Sequence, residues 1–310
     1  MFGRPVRSVV AALAVLAAAG CTAGPSSSPG PPRALSVVAT TTVFADLVAR
    51  VGGERVDVSS LVPRGGEVHT FDPTPSKAAR VAEADLLVMN GLGLDDWLRR
   101  LVADSGARAT VLVLAEDLPG ARYIEGADGT QPNPHLWLDI SYAEAYVARI
   151  RDAMEAADPA GASTYRANAE AYSGELRELD AWARATLAGI PAEKRRIIAF
   201  HDALPYFARA YGLEIVGVVL PAPGQDPSAG YIAALVDEIR RIRVRVVLSE
   251  VQFSPTLART IADETGATLV SDLYSDTLGD PPVDSYEGIM RWDVERIAAA
   301  LRWAPDTMSP

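Results

Sequence analysis

Histidine is scarce in this chain of 310 residues, and its three copies, His69, His135 and His201, stand 66 residues apart each time. Each lies at or just after an apolar, β-branched run: His69 follows VDVSSLV, His135 opens HLWL, and His201 ends RRIIAFH. In open α/β sheets, side chains beyond the carboxyl ends of the strands converge on ligands. One such histidine reads as a structural or surface residue, but three of three in corresponding places read as a converging set. Neutral imidazoles suit Zn first and Cu, Fe or Ni less specifically, whereas Mn and Mg favour oxygen-rich sites. A closed tetrahedral centre needs one more donor, and Asp272, Asp276 and Asp280 in TLVSDLYSDTLGD compete for that place. Because imidazole must be neutral to ligate, affinity is expected to weaken as pH falls through about 6.5.

Composition narrows the alternatives. With 49% hydrophobic and 22% charged residues, the chain can build two packed cores, which excludes disordered, collagenous and coiled-coil classes. A single cysteine allows neither an internal disulfide nor a thiolate zinc site. A formal charge of -11 is the wrong sign for a nucleic-acid partner.

The N-terminus reads as an address. Arg4 and Arg7 precede an apolar run from Val9 to Ala19, too short to span a membrane as a mature helix, which marks residues 1–20 as a signal peptide. Ala18-Ala19-Gly20-Cys21 resembles a bacterial lipobox, in which the cysteine becomes the lipid-carrying first residue; cleavage at a nearby A-x-A-like site would instead free the protein. Residues 21–33, rich in Pro, Gly and Ser, read as a flexible tether.

From residue 34 onward, strands and helices alternate. Strands are expected at 35–39, 56–61, 85–90, 110–114 and 135–138, with helices at 43–51, 76–82 and 94–103 between them. A second set places strands at 196–200, 214–219, 244–249 and 268–271, with helices at 206–211, 229–242, 255–265 and 285–303. This is the rhythm of two lobes, each a mainly parallel sheet flanked by helices, over residues 34–158 and 191–310. Between them, Tyr165, Ala169, Tyr172, Leu176, Leu179, Ala183 and Leu187 keep one helical face, and Gly189 and Pro191 supply the stop. The segment 159–190 is thus expected to hold one long helix linking the lobes, which limits closure to small rigid-body adjustments; the alternative is that it is simply the last helix of the first lobe.

Four ordered segments carry a resemblance: HTFDPTPS from His69, NPHLWLD around His135, FHDALPYFARAYGL from His201, and SDTLGD with DSYEGIMRWDVERI behind it. Together they resemble the metal-binding proteins of zinc and manganese ABC importers, the ZnuA/TroA-like family (cluster A-I, or cluster 9). The resemblance implies two lobes joined by a backbone helix with the ion in the inter-lobe cleft. It assigns His69 and His135 to the first lobe, His201 and Asp276 to the second, and leaves Asp272 and Asp280 as neighbours. Members similar to manganese binders carry Glu at the third position; His201 here favours zinc. The chain lacks the His-rich loop of many zinc members before the second histidine, and it has Lys77 where many relatives carry an acid. The implied partners are an ABC permease and, through it, a cytoplasmic ATPase, with the protein a monomer anchored by lipid on the extracytoplasmic face of the cell membrane.

Other residues carry weaker signals. Glu250, ending VVLSE, reads as either an acid behind the ligands or an ordinary strand end. Asp139 reads first as a helix N-cap and second as an orienter of His135. Glu67 could supply an oxygen in place of Asp276 but is expected to be exposed. Gly91-Leu92-Gly93-Leu94-Asp95-Asp96 begins like a dinucleotide fingerprint, yet Asp95 and Asp96 would repel a pyrophosphate, so a helix start is expected there. A zinc hydrolase competes as a function, without an HExxH motif and with Asp276 filling the open position. A manganese or iron carrier of the same fold, a binder of a large metal chelate and a lipoprotein with a structural metal are further alternatives.

Overall fold

The computed structural model describes residues 1–3, 33–127, 129, 131–221 and 224–303. Cys21, with nearly all of the expected signal segment and tether, lies outside the described residues. The first lobe runs β1 (Leu35–Ala39), α1 (Thr42–Gly52), β2 (Val56–Ser60), α2 (Pro75–Glu83), β3 (Leu86–Met89), α3 (Trp97–Ser105), β4 (Thr110–Val113) and α4 (Ile140–Ala157). Helix α5 (Ala162–Ala188) follows. The second lobe runs β5 (Arg196–His201), α6 (Pro205–Tyr211), β6 (Glu214–Leu220), α7 (Ala229–Ile242), β7 (Val246–Glu250), α8 (Thr256–Thr265), β8 (Thr268–Leu273) and α9 (Tyr286–Trp303).

Both sheets are parallel and share one topology, β2-β1-β3-β4 in the first and β6-β5-β7-β8 in the second. Each lobe therefore reverses its winding beside its first strand, between β1 and β3 and between β5 and β7. Such a reversal opens a crevice at the carboxyl ends of the strands. The inner strands β3, LLVM, and β7, VVLSE, are buried at every position, as strands covered on both faces must be.

The long helix spans 27 residues, about 40 Å at 1.5 Å per residue, and buries the seven-residue stripe expected from the sequence. Its packing joins the lobes: one continuous apolar core includes Val48 and Ile150 of the first lobe, Leu176 of α5, and Phe207 and Ile297 of the second. A smaller core, with Val236, Ile239 and Ile261, fills the other face of the second sheet beneath α7 and α8.

Two local expectations are corrected. The run 135–138 is not a strand: Leu136–Leu138 form a 3-10 turn, all three residues buried, leading into α4. A short apolar run bounded by polar residues has no periodicity to separate strand from turn. Helix α3 begins at Trp97 rather than at residue 94, because the chain from 90 to 95 closes first around the Asp95 carboxylate. Asn90 N (2.8 Å), Gly91 N (2.9 Å) and the Thr40 hydroxyl (2.6 Å) all donate to it. The fingerprint-like loop is thus filled by the chain's own anion. Gly91, at φ +81°, has no room for a Cβ, which would lie 2.5 Å from Glu116 Oε1.

Candidate metal centre

The three histidines and Asp276 meet in the crevice between the lobes, each delivered by a different element. His69 sits in the irregular segment between β2 and α2, where its backbone N donates to Glu67 Oε1 (2.7 Å). His135 lies at the mouth of the 3-10 turn, whose Trp137 Nε1 donates to Ser275 O (2.9 Å). His201 is the last residue of β5 and Glu250 the last of β7, so the pair stands at the winding reversal of the second sheet.

Asp276 follows β8 and is fastened from both sides. Gln252 Nε2 donates to Asp276 Oδ2 (3.3 Å) and to Ser275 Oγ (2.9 Å). From the first lobe, Gly65 N donates to Thr277 Oγ1 (2.8 Å), while Leu278 N donates to Thr42 Oγ1 (2.8 Å).

His135 Nε2 and His201 Nε2 are 3.4 Å apart. Asp276 oxygens lie 3.5 Å from His135 Nε2, 3.6 Å from His201 Nε2 and 3.8 Å from His69 Nε2. One donor atom from each of the four residues falls within 4.8 Å of every other. Four donors on a tetrahedron with bonds of about 2.0 Å stand roughly 3.3 Å apart, so these separations match a single small cation. His201, Asp276 and His135 are at most 2% exposed. Asp276 Oδ1 and His69 Nε2 are buried with no hydrogen-bond partner, a costly arrangement unless a cation receives them.

The electrostatics separate the three rings. Burial, reinforced by the charge on His201, lowers His69 to about 3 and holds His135 well below the ordinary histidine range. Burial would also lower His201, but the Glu250 carboxylate, 2.8 Å from Nδ1, together with Asp276 and Glu67, raises it to about 9. Burial raises Asp276 to about 7, against the pull of His201 and with the push of Glu67 and Glu250. Without an ion, the cluster therefore keeps a proton on His201.

The remaining sequence candidates fall outside the four donors. Glu67 is half-buried rather than exposed: Oε1 is turned onto the His69 backbone, and Oε2 is buried without a partner. Asp139 caps α4, accepting from Ser141 N (3.1 Å) and Ser141 Oγ (2.6 Å). Asp272 pairs with Arg296 (3.3 Å) and Asp280 is exposed. Lys77 Nζ donates to Ser60 O (3.2 Å), tying α2 to the end of β2. The sequence reading missed Asn133, Gln252 and Thr42; of these, only Asn133 carried a signal, as a polar residue two before a candidate ligand. A cavity of about 310 Å³ opens over the cluster, lined by His69, His135, His201, Asn133, Asp202 and Gln225 among others.

Two parallel-sheet lobes joined by a long helix and closing on a buried, nitrogen-rich donor cluster define a solute-binding protein whose solute is a metal ion. Residues 37–300 match the family model described as ZnuA, zinc-uptake complex component A, periplasmic, and the chain belongs to this family of metal-binding, substrate-binding proteins of ABC importers, which are not enzymes. It is 32% identical over 298 residues to the manganese-binding lipoprotein MntA of Halalkalibacterium halodurans, covering 95% of this chain and 97% of the relative. It is also 32% identical over 268 residues to the iron-binding protein YfeA of Yersinia pestis, covering 86% of each. The solved structure of the periplasmic zinc-binding protein TroA of Treponema pallidum has the same fold, with a TM-score of 0.80 at 24% identity over 86% of this chain and 99% of that one. Among the described residues, no helix is long and apolar enough to cross a membrane.

Proposed function

We propose that the protein captures Zn(II) outside the cytoplasmic membrane and hands it to the permease of an ABC importer driven by a cytoplasmic ATPase. His69, His135, His201 and Asp276 are the four ligands. The protein acts as a monomer, held at the membrane by lipid on Cys21. The observation that carries the choice of metal is the donor set: three imidazole nitrogens against one carboxylate, at separations suited to a tetrahedron. The names of MntA and YfeA favour a second reading, capture of Mn(II) or Fe(II) by the same cluster. Equilibrating the purified soluble body with equal concentrations of Zn, Mn, Fe and Cu, followed by elemental analysis, separates the two. Zinc bound at one ion per chain is expected, and preferential retention of Mn or Fe would overturn the assignment.

A further inference from the structure

Asn133 is 1% exposed, and each of its polar groups has a partner. Its backbone N donates to Ile124 O (2.7 Å), and its carbonyl accepts from the Tyr206 hydroxyl (3.1 Å). The side chain faces two ways. Oδ1 accepts from His135 N (3.0 Å) and His135 Nδ1 (3.1 Å), on the first lobe. Nδ2 donates to Asp202 O (2.6 Å) and Asp202 Oδ2 (3.0 Å), on the second lobe and adjacent in sequence to His201. The same Asp202 carboxylate accepts from Ala127 N (2.7 Å).

An amide oxygen can only accept, so the proton of neutral His135 belongs on Nδ1, and the lone pair of Nε2 faces the cluster. The amide keeps that orientation because the His135 backbone N donates to Oδ1 and Asp202 engages Nδ2 across the gap. Separating the lobes strips Nδ2 of both acceptors and leaves only the Oδ1 contacts to hold the amide against His135. Freed of Asp202, the amide can rotate off the ring, and His135 then lacks the acceptor that fixes its proton on Nδ1.

We propose that Asn133 is a positioning residue that sets the tautomer of His135 and, through Asp202, couples approach of the lobes to seating of the ion. The coupling rests on the reading of the cluster as the ion site. The chain's three histidines make the test direct, because each ring can be followed in a 15N-resolved spectrum of the metal-free protein at pH 8. In the unsubstituted protein, His135 is expected in the Nδ1–H form. In Asn133→Ala it should shift toward Nε2–H, and zinc release into excess chelator should be about 10- to 100-fold faster. Asp202→Ala should keep the Nδ1–H form yet release zinc faster. An unchanged tautomer in Asn133→Ala, or release within twofold of the unsubstituted protein in both variants, would overturn the proposal.

If Asn133→Ala does not fold, the isosteric Asn133→Asp retains Oδ1 and sets a like charge against Asp202. Faster zinc release with the Nδ1–H form retained is then expected, and unchanged release overturns the coupling. A protein that binds none of zinc, manganese or iron would refute the site reading and the coupling together, while the tautomer result stands or falls on the metal-free spectra.

Discussion

His201 and Glu250 end neighbouring strands of the second sheet and are joined by a 2.8 Å hydrogen bond from Nδ1 to Oε1, with both side chains shut off from solvent. The carboxylate holds the ring with Nε2 toward the other donors and makes the imidazole a stronger base. Carboxylate-backed histidines of this kind tune the ligands they support. Replacing Glu250 by Gln keeps the shape and removes the charge. Zinc affinity, read by competition with a chelator at pH 8, should fall about 10-fold or more, and a change under twofold would remove Glu250 from the binding machinery.

Proton competition is expected at a higher pH than ordinary histidines would give. A proton held on His201 up to about 9 must leave before the ion can bind, and below about 7 Asp276 holds a second. Affinity should therefore rise roughly tenfold per pH unit from 7 to 9 and more steeply below 7. The metal-free fold has the opposite trend: both groups have raised values in the folded state, so the stability they contribute is present at low pH and lost as pH rises through those values. The gain in melting temperature on adding zinc should be larger at pH 8 than at pH 6. Equal gains at the two values would contradict the assignment.

The balance of nitrogen and oxygen is open to direct change. His201→Glu gives two imidazoles and two carboxylates and should move the Zn-to-Mn affinity ratio toward Mn. Titration of both ions into both proteins measures the ratio, and an unaltered value would disconnect metal choice from residue 201.

The linking helix should be structural far from the ion. Leu176 is fully buried within the core common to both lobes. Leu176→Ala is expected to cost about 2–5 kcal/mol, read from urea unfolding, with one transition reported alike by fluorescence and far-UV circular dichroism. Two separate transitions would show that the lobes fold independently.

Membrane attachment through Cys21 predicts that Cys21→Ser moves the protein from the membrane fraction to the soluble extracytoplasmic fraction without altering zinc affinity of the soluble body. Continued sedimentation with membranes would rule out lipid on that residue.

Much of this architecture was legible in the sequence because it rests on periodicity. The buried stripe from Tyr165 to Leu187 and the strand RIIAFH could be read directly, since apolar spacing and β-branching are local properties. The convergence of His69, His135 and His201 was legible only in part: His201 ends a strand of a parallel sheet, whose destination is predictable, whereas His69 and His135 are delivered by a loop and a 3-10 turn. What escaped was set by tertiary pairing. The turn at Leu136–Leu138 has the apolar run of a strand but no strand partner among the described residues, and the burial of Glu67 depends on how the segment after β2 folds back over His69. Likewise, the two-sided fastening of Asp276 needs Thr42 and Gly65, more than 200 residues away in the chain.

The core that Leu176 helps to fill has a bearing on what this body can hold. A binding protein for a sugar or peptide must swing open by several ångströms to admit its cargo, and a shared apolar interior resists such a swing because close-packed groups do not deform continuously. An ion asks for far less. Coordination bonds near 2 Å are lost when a donor shifts by a fraction of that length, so a stiff molecule can grip and let go through displacements that its interior tolerates. The tightness of the packing between the halves therefore works as a filter on cargo size.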